Sequence, residues 1–292
     1  MQIRELGPGW LEIHAPAKLN LFLEVLGKTD DGFHRLETVM CRISLYDTIW
    51  FQHLPDTTQL HLEVVPALDD IPTDERNLLV RAMRLLQQAH GMTTGARLRL
   101  FKRIPSQAGL GGGSADAAAA LLLANHAWDL GLTREGLLSH AANLGSDVSF
   151  FLGDSPSVCR GRGEQLQRYE GAIPRHWVVV KPSWGLETAA VYRQLKLGGD
   201  PPRDLPASLS AEQCFNRLQP PALELRPELK QTQRRLREVG LIPWMSGSGS
   251  AFFAACRGSG QALRAANALR QRGEHEVYVT QSLIEGSPPA WA

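Results

Sequence analysis

The chain has little of several features that would reveal its class directly. Its four cysteines, Cys41, Cys159, Cys214 and Cys256, lie far apart and include no CxxC pair, which argues against a zinc site or a disulfide framework. The net charge is only +1, so there is no electrostatic footprint for nucleic acid or an anionic membrane. The longest apolar stretch, 117–124, is far too short to span a bilayer, and no signal peptide is visible. We therefore expect a cytoplasmic protein without nucleic-acid or membrane partners, as a monomer or a homodimer.

Common phosphate-binding motifs are absent as well. A Walker A loop reads GxxxxGK[ST]; Gly27-Lys28-Thr29 supplies its end, but Phe22 stands where the first glycine should be. A Rossmann fingerprint needs a glycine where Ser114 stands, and the protein-kinase signatures are missing. Any nucleotide phosphates must therefore be bound by a loop of another kind.

The hydrophobic pattern predicts an α+β protein. Hydrophobic residues make up 43% of the 292 residues, which is typical of one large or two modest globular domains. Alternation of apolar and polar residues predicts strands, and apolar residues at helical spacing predict helices. The predicted strands are 19–25, 39–45, 60–64, 98–100, 177–180, 251–255 and 277–282. The predicted helices are 77–90, 114–128, 133–144, 223–239 and 261–272. The pattern changes near residue 160, which predicts two parts, 1–160 and 161–292.

The most informative segment is the glycine-rich run from Gly109 to Ala117. It holds four glycines within five residues, and a glycine lets backbone N–H groups approach a ligand closely. The run leads into an alanine-rich helix, whose N-terminal N–H groups and dipole favour anions. A flexible linker is the alternative, but a linker would not be flanked by a strand and a helix. The sequence therefore predicts a phosphate cradle.

Three motifs in order resemble those of the galactokinase, homoserine kinase, mevalonate kinase and phosphomevalonate kinase superfamily (GHMP kinases). They are Ala15 to Leu23, the run from Pro105 to Ser114, and Ser246 to Ala251. The resemblance implies the two-domain GHMP kinase fold, with an N-terminal ribosomal protein S5 domain 2-like part and a C-terminal ferredoxin-like part. It further implies an ATP-binding, catalytic N-terminal domain over 1–160, a C-terminal domain over 161–292, and an active site in the cleft between them.

Further segments narrow the resemblance within the superfamily. They are Asp31-Gly32-Phe33-His34, the run from Leu144 to Val148, and Lys181-Pro182 followed by Thr188 to Tyr192. This set is similar to the family of 4-diphosphocytidyl-2-C-methyl-D-erythritol kinases. That family uses ATP to phosphorylate the 2-hydroxyl of a methylerythritol joined to CDP, in the methylerythritol phosphate route to isoprenoid precursors.

The resemblance implies a role for each matching residue. Asp147 would be the catalytic base that deprotonates the hydroxyl, and Lys18 would sit beside it, keeping it ionised and steadying the transferring phosphoryl. Asn20 would position the substrate, His34 would hydrogen-bond the cytosine, and Phe33 and Tyr192 would sandwich its ring. The implied substrate-binding residues are thus Asn20, Phe33, His34, Tyr192, Gly247 and Ser248. The implied ATP-binding residues are Pro105, Gly109, Leu110, Gly111, Gly112, Gly113, Ser114, Ala115 and Asp116. ATP would bring Mg²⁺ held mainly by phosphates and water, and Ser114 is the one candidate protein ligand that we name.

Two positions depart from the family pattern. Phe33 stands where tyrosine is common, so a hydroxyl is missing there, and Ala115 stands where a second serine is usual. Ordinary structural explanations also exist for single residues. Asp147 could be the N-cap of a segment from Val148 to Phe151. Lys18 could be a solvated lysine, and Phe33 and Tyr192 could be core residues.

Two other functions stay open at this point. One is a different GHMP kinase, acting on mevalonate, homoserine or a sugar. The aromatic pair and His34 argue against it, because those acceptors have no pyrimidine to sandwich. The other is a catalytically dead relative that binds ATP as a sensor, against which the presence of both Lys18 and Asp147 argues.

Overall fold

The computed structural model describes residues 1–29, 32–198 and 200–284, which form two compact units. The first unit consists of Met1–Ala17, Leu45–Ile104 and Gly111–Gly153. The second consists of Lys18–Ser44, Pro105–Leu110 and the chain from Asp154 onward. The division into domains 1–160 and 161–292 stays a prediction.

The first unit is a sheet with four helices. Its elements are β1 (Ile3–Gly7), the first part of β2 (Trp10–Lys28), the last part of β3 (His34–Leu54), β4 (Leu60–Val65), α1 (Leu78–Ala89), β5 (Gly95–Phe101), α2 (Gly112–Ala127), α3 (Arg134–Ala141) and α4 (Ser146–Leu152). The strand order is β1-β2-β3-β5-β4, with β3 antiparallel and β4 parallel to β5. Helix α2 packs against α1 and α4. Most of its run of alanine and leucine is buried, as expected for a helix that is apolar on all sides.

The second unit is built around an antiparallel four-stranded sheet. Its further elements are β6 (Ser157–Gly161), β7 (Gln165–Arg168), β8 (His176–Lys181), α5 (Thr188–Gln194), β9 (Phe215–Asn216), α6 (Gln219–Leu225), α7 (Leu229–Glu238), β10 (Trp244–Met245), β11 (Phe252–Cys256), α8 (Ser259–Gln271) and β12 (Glu276–Gln281). The sheet order is β10-β11-β8-β12. Apolar residues of β8, β11 and α8 form its core together with Leu23 and Val25 of β2.

Most predicted elements are confirmed, and the differences have physical causes. Asn77 caps α1 by accepting a hydrogen bond from Leu79 N at 3.0 Å. The predicted single helix 223–239 is wrong, because Pro227 separates α6 from α7, and proline disfavours a helical residue before it. The predicted helix 133–144 ends at Ala141, and Gly145, just beyond the predicted end, is the N-cap of the next helix, α4.

Two further features complete the description of the chain. All four cysteines are buried free thiols. Among the residues that the structure describes, no helix is both long and apolar enough to cross a membrane.

Candidate active site

The glycine-rich run forms a turn that leads into α2. Gly109 and Gly111 both have φ of +72°, a conformation that side chains with a Cβ rarely adopt. Helix α2 begins at Gly112, two residues earlier than predicted, so Gly112 and Gly113 belong to its first turn. The N–H groups of a first helical turn have no acceptor within the helix. The local geometry is therefore suited to an anion such as a phosphate.

Residues of all three motifs meet in the second unit. A Cβ built on Gly247 would lie 3.1 Å from Asn20 Oδ1, 3.3 Å from Lys18 Nζ and 3.4 Å from Gly109 O. Ser246 joins the motifs by hydrogen bonds, because its hydroxyl donates to Gly109 O at 2.8 Å and accepts from Asn20 N at 3.3 Å. Three segments distant in sequence thus form one polar cluster.

Lys18 and Asn20 are fixed within this cluster. They point to the same face of β2, as the period of two predicts, and Lys18 Nζ donates to Asn20 Oδ1. The amide of Asn20 donates in turn to Thr38 Oγ1 at 2.9 Å, which sets its orientation. Lys18 is only 4% exposed, so its interpretation as a solvated lysine is wrong. A buried ammonium held this way can face a charged ligand without reorganising.

Asn216 of β9 holds the third motif in place and was not predicted from the sequence. Its side-chain amide donates to Met245 O and Gly247 O, both at 2.7 Å, and its Oδ1 accepts from Leu218 N at 2.8 Å. Both N–H groups of the amide and its oxygen are therefore bonded to backbone groups. No local pattern indicates this, because Gly247 lies 31 residues further along the chain.

Asn216→Asp is expected to lower the free energy of unfolding by about 2 kcal/mol, because a carboxylate would face two backbone carbonyls that need donors. Urea denaturation of both proteins measures this directly. The matched control is Asn267→Asp on the exposed face of α8, where the oxygen that accepts from Arg270 is retained. Equal stability of the Asn216→Asp variant and the parent would contradict the assigned anchoring role.

The predicted substrate-binding aromatic residues lie in the second unit. The rings of His34 and Tyr192 are 4.7 Å apart between centroids. Phe33 is 54% exposed, so its interpretation as a core residue is wrong, while Tyr192 packs partly against the core. The guanidinium of Arg162 lies 3.8 Å from the Phe33 ring centroid, a stacked cation–π contact. Arg162 lies in the turn between β6 and β7, and no local sequence pattern indicates this contact.

The imidazole of His34 is neutral and has one ring nitrogen without a hydrogen bond in the described part of the chain. Burial and the nearby Lys28 both lower the pKa of His34, so its imidazole is neutral at pH 7. Its Nε2 atom is buried and makes no hydrogen bond within the described part of the chain. A neutral imidazole with an unused nitrogen can hydrogen-bond the edge of a base.

Asp147 belongs to the first unit, in the first turn of α4. Its interpretation as an N-cap is wrong, because the N-cap is Gly145 and Asp147 lies inside the helix. Since α4 packs against α2, this carboxylate lies on the helix next to the one that begins at the glycine run.

In the second unit, Ser248 Oγ lies 2.8 Å from Thr188 Oγ1, so the last predicted substrate-binding residue has a hydroxyl partner.

Other predicted ATP-binding residues are enclosed in the protein. Leu110 and Ala115 are buried, and Leu110 O accepts from Lys18 N at 2.9 Å. Asp116 is buried too, and its carboxyl group accepts a hydrogen bond from Lys102 Nζ at 3.0 Å. Among the described residues there is no group of three or more His, Cys, Asp or Glu side chains arranged to hold a metal ion. Ser114 in the first turn of α2 carries the one hydroxyl of the run from Gly109 to Ala115.

Comparisons with known proteins identify the family to which the chain belongs. A family model described as GHMP kinases N terminal domain matches residues 77–155, and one described as GHMP kinases C terminal matches residues 203–275. The 4-diphosphocytidyl-2-C-methyl-D-erythritol kinase of Pelotomaculum thermopropionicum is 40% identical over 280 residues, covering 92% of this chain and 96% of that protein.

Solved structures are similar over nearly the whole chain. A crystal structure of 4-(cytidine 5'-diphospho)-2C-methyl-D-erythritol kinase has a TM-score of 0.77 and 36% identity, covering 93% of this chain and 98% of that one. Homoserine kinase from Cytophaga hutchinsonii has a TM-score of 0.71 and 14% identity, covering 97% of each chain. The second likeness concerns the fold alone, which is the two-domain α+β fold of GHMP kinases.

Proposed function

Because this chain belongs to the 4-diphosphocytidyl-2-C-methyl-D-erythritol kinase family of the GHMP kinases, we propose that it phosphorylates that CDP-linked methylerythritol at its 2-hydroxyl, using ATP. The product would enter the methylerythritol phosphate route to isoprenoid precursors. Four buried free thiols are compatible with work in the reducing cytoplasm.

The observation that carries the proposal is the meeting of three motifs around Gly247. Lys18 Nζ, Asn20 Oδ1 and Gly109 O all approach the position that a Cβ on Gly247 would occupy. Phosphoryl transfer depends mainly on positioning and on stabilising charge, and there is little covalent chemistry for the protein to perform. A buried ammonium can stabilise the charge, and the two glycine turns next to it can position the phosphates.

Proton transfer is assigned to Asp147. The attacking hydroxyl must lose its proton as the new P–O bond forms, and a carboxylate within hydrogen-bonding reach can accept it. Lys18 steadies the negative charge on the transferring phosphoryl, and the N–H groups of the first turn of α2 bind ATP phosphates. Magnesium bound to the phosphates would neutralise part of their charge, with Ser114 as a candidate hydroxyl ligand.

Recognition of the CDP part is assigned to residues of the second unit. Phe33 and Tyr192 offer ring faces to cytosine, and the neutral imidazole of His34 offers its free nitrogen to the base edge. The missing hydroxyl at Phe33 leaves stacking intact. Specificity for cytosine would then come from His34 and the backbone around it.

A coupled ADP-release assay tests the proposal. The expected result is ATP- and magnesium-dependent ADP release with 4-diphosphocytidyl-2-C-methyl-D-erythritol and none with mevalonate or homoserine. CDP should inhibit the reaction in competition with the CDP-linked acceptor. Release with mevalonate or homoserine would make this a different GHMP kinase, whereas ATP binding without turnover on any acceptor would make it a sensor.

Phe33→Ala and Tyr192→Ala are each expected to weaken CDP binding by about 0.5–1.5 kcal/mol beyond the effect of lost contact area, because each removes a stacking face. Calorimetric titration of CDP into each variant measures the change. The control is Tyr278→Ala, which removes a tyrosine of β12 in the same unit. Unaltered CDP affinity in both test variants would rule out the sandwich.

A further inference from the structure

A buried group of three ionisable side chains lies in the first unit. Lys102, which follows β5, donates through Nζ to Asp47 Oδ2 and to Asp116 Oδ2, the latter at 3.0 Å. The side chains of Lys102, Asp47 and Asp116 are 5%, 0% and 3% exposed. We call these three residues the triad. The proposed function does not use their charges, and burying charges requires compensation.

The triad lies against the first turn of α2. A Cβ built on Gly112 would be only 3.2 Å from Lys102 Nζ, so the ammonium lies beside the glycine where the helix begins. Asp116 is itself part of α2, near its N-terminus. A change in the charge of the triad therefore acts on the helix end that would bind phosphates.

The triad has too few hydrogen-bond donors to stabilise two ionised carboxylates. Asp47 is fully engaged, because its Oδ1 accepts from Arg103 N at 2.6 Å and Ile104 N at 2.9 Å, while its Oδ2 accepts from Lys102. Asp116 Oδ1 is buried and has no hydrogen-bond partner within the described residues. Both carboxyl groups accept a hydrogen bond from the same ammonium, Lys102 Nζ, which brings them close together. One ammonium cannot neutralise both.

We propose that the triad keeps one carboxyl proton, carried by Asp116, and that Asp47, Lys102 and Asp116 thereby act as positioning residues for the nucleotide phosphates at the first turn of α2. With this proton the triad is neutral: one ammonium, one carboxylate and one carboxylic acid. Without it, a buried negative charge lies beside the phosphates. The inference rests on the proposed binding of ATP at α2.

The electrostatics of the three groups agree with this assignment. Burial raises the pKa of Asp116, and Asp47 raises it further, so that it reaches about 8 despite the nearby Lys102. Burial acts to lower the pKa of Lys102, but Asp116 and Asp47 outweigh this and keep it above its ordinary value. The charged groups acting on Asp116 thus come from β3 and from the segment after β5. The proton leaves Asp116 as the pH rises through about 8, while Lys102 stays charged.

Infrared difference spectroscopy detects this proton without any assay of function. The parent minus Asp116→Asn spectrum at pH 6.5 should contain the carbonyl band of a protonated carboxyl group, and the band should disappear by pH 9.5. If the variant does not fold, the pH difference spectrum of the parent alone gives the same band. Absence of a protonated-carboxyl band at pH 6.5 would overturn the proposal.

Calorimetric titration of ATP without any acceptor tests the coupling to the nucleotide. Between pH 7 and pH 9.5 the parent should lose about tenfold in affinity, the size expected for one extra charge about 10 Å away at an effective dielectric constant of about 20. In Asp116→Asn, the ratio of the ATP affinities at pH 7 and pH 9.5 should be close to one. The control variant Asp56→Asn, in an exposed turn of the same unit, should lose affinity as the parent does. An equal loss of affinity in Asp116→Asn and the parent would refute the coupling. A wrong acceptor would leave all these results unaffected.

Discussion

Asp147→Asn is expected to lower kcat by about 10²–10⁴-fold, the usual contribution of a positioned general base. An amide cannot take the proton that the attacking hydroxyl loses, although it keeps the shape of the side chain. Because Asp147 lies within α4, beyond its N-cap Gly145, the helix should still form in the variant. The measurement is steady-state ADP release at saturating ATP and acceptor.

Calorimetry separates loss of chemistry from loss of binding. The Kd for ATP should stay within about threefold of the parent value, since less than 1 kcal/mol of binding should be affected. Asp56→Asn, in an exposed turn of the same unit, is the matched control and should turn over at the parent rate. A fully active Asp147→Asn variant would remove this carboxylate from the mechanism.

Gly109→Ala is expected to lower the free energy of unfolding by at least about 3 kcal/mol and to weaken ATP binding strongly. A Cβ at this position would lie 2.0 Å from Ser246 O, a backbone atom that cannot rotate away. The φ of +72° adds strain for any residue other than glycine. The two glycine turns would have to separate, which displaces the cluster around Lys18. Thermal unfolding and ATP titration measure the two effects.

Gly113→Ala is the matched control for this substitution. A Cβ there would meet only Leu78 Cδ1 at 3.8 Å, an ordinary contact, and Gly113 is helical. Alanine also has the higher helix propensity, so the stability of this variant should equal or exceed that of the parent. Equal stabilities of the two alanine variants would show that the packing of Gly109 on Ser246 is not needed.

The sequence revealed the parts of the fold and site that depend on neighbours along the chain. Alternation from Leu19 to Val25 predicts a strand. Lys18 and Asn20, two residues apart, lie on one face of that strand, and their side chains hydrogen-bond to each other. The glycine run predicted the turn before α2. In contrast, the apolar spacing of residues 223–239 concealed the break at Pro227, because helical periodicity continues across the gap between α6 and α7.

The parts that could not be predicted depend on contacts between distant residues. Asn216 follows a loop, and its side-chain amide donates to carbonyl groups of a turn that comes later in the chain. Lys102 and Asp47 are 55 residues apart, and nothing in either segment indicates that they pair. Arg162 and Phe33 likewise meet only because the β6–β7 turn lies beside the start of β3. Such pairs are set by tertiary packing, for which a single sequence carries no local signal.

Phosphorus NMR of the reaction product tests the central claim most directly. After reaction of the protein with ATP, magnesium and 4-diphosphocytidyl-2-C-methyl-D-erythritol, a new phosphomonoester resonance should appear as ADP forms. The carbon bearing the 2-hydroxyl carries no hydrogen, so this resonance should show no three-bond splitting by protons. A resonance split by neighbouring protons would mean that another hydroxyl is phosphorylated, and no new resonance would contradict the proposed activity altogether.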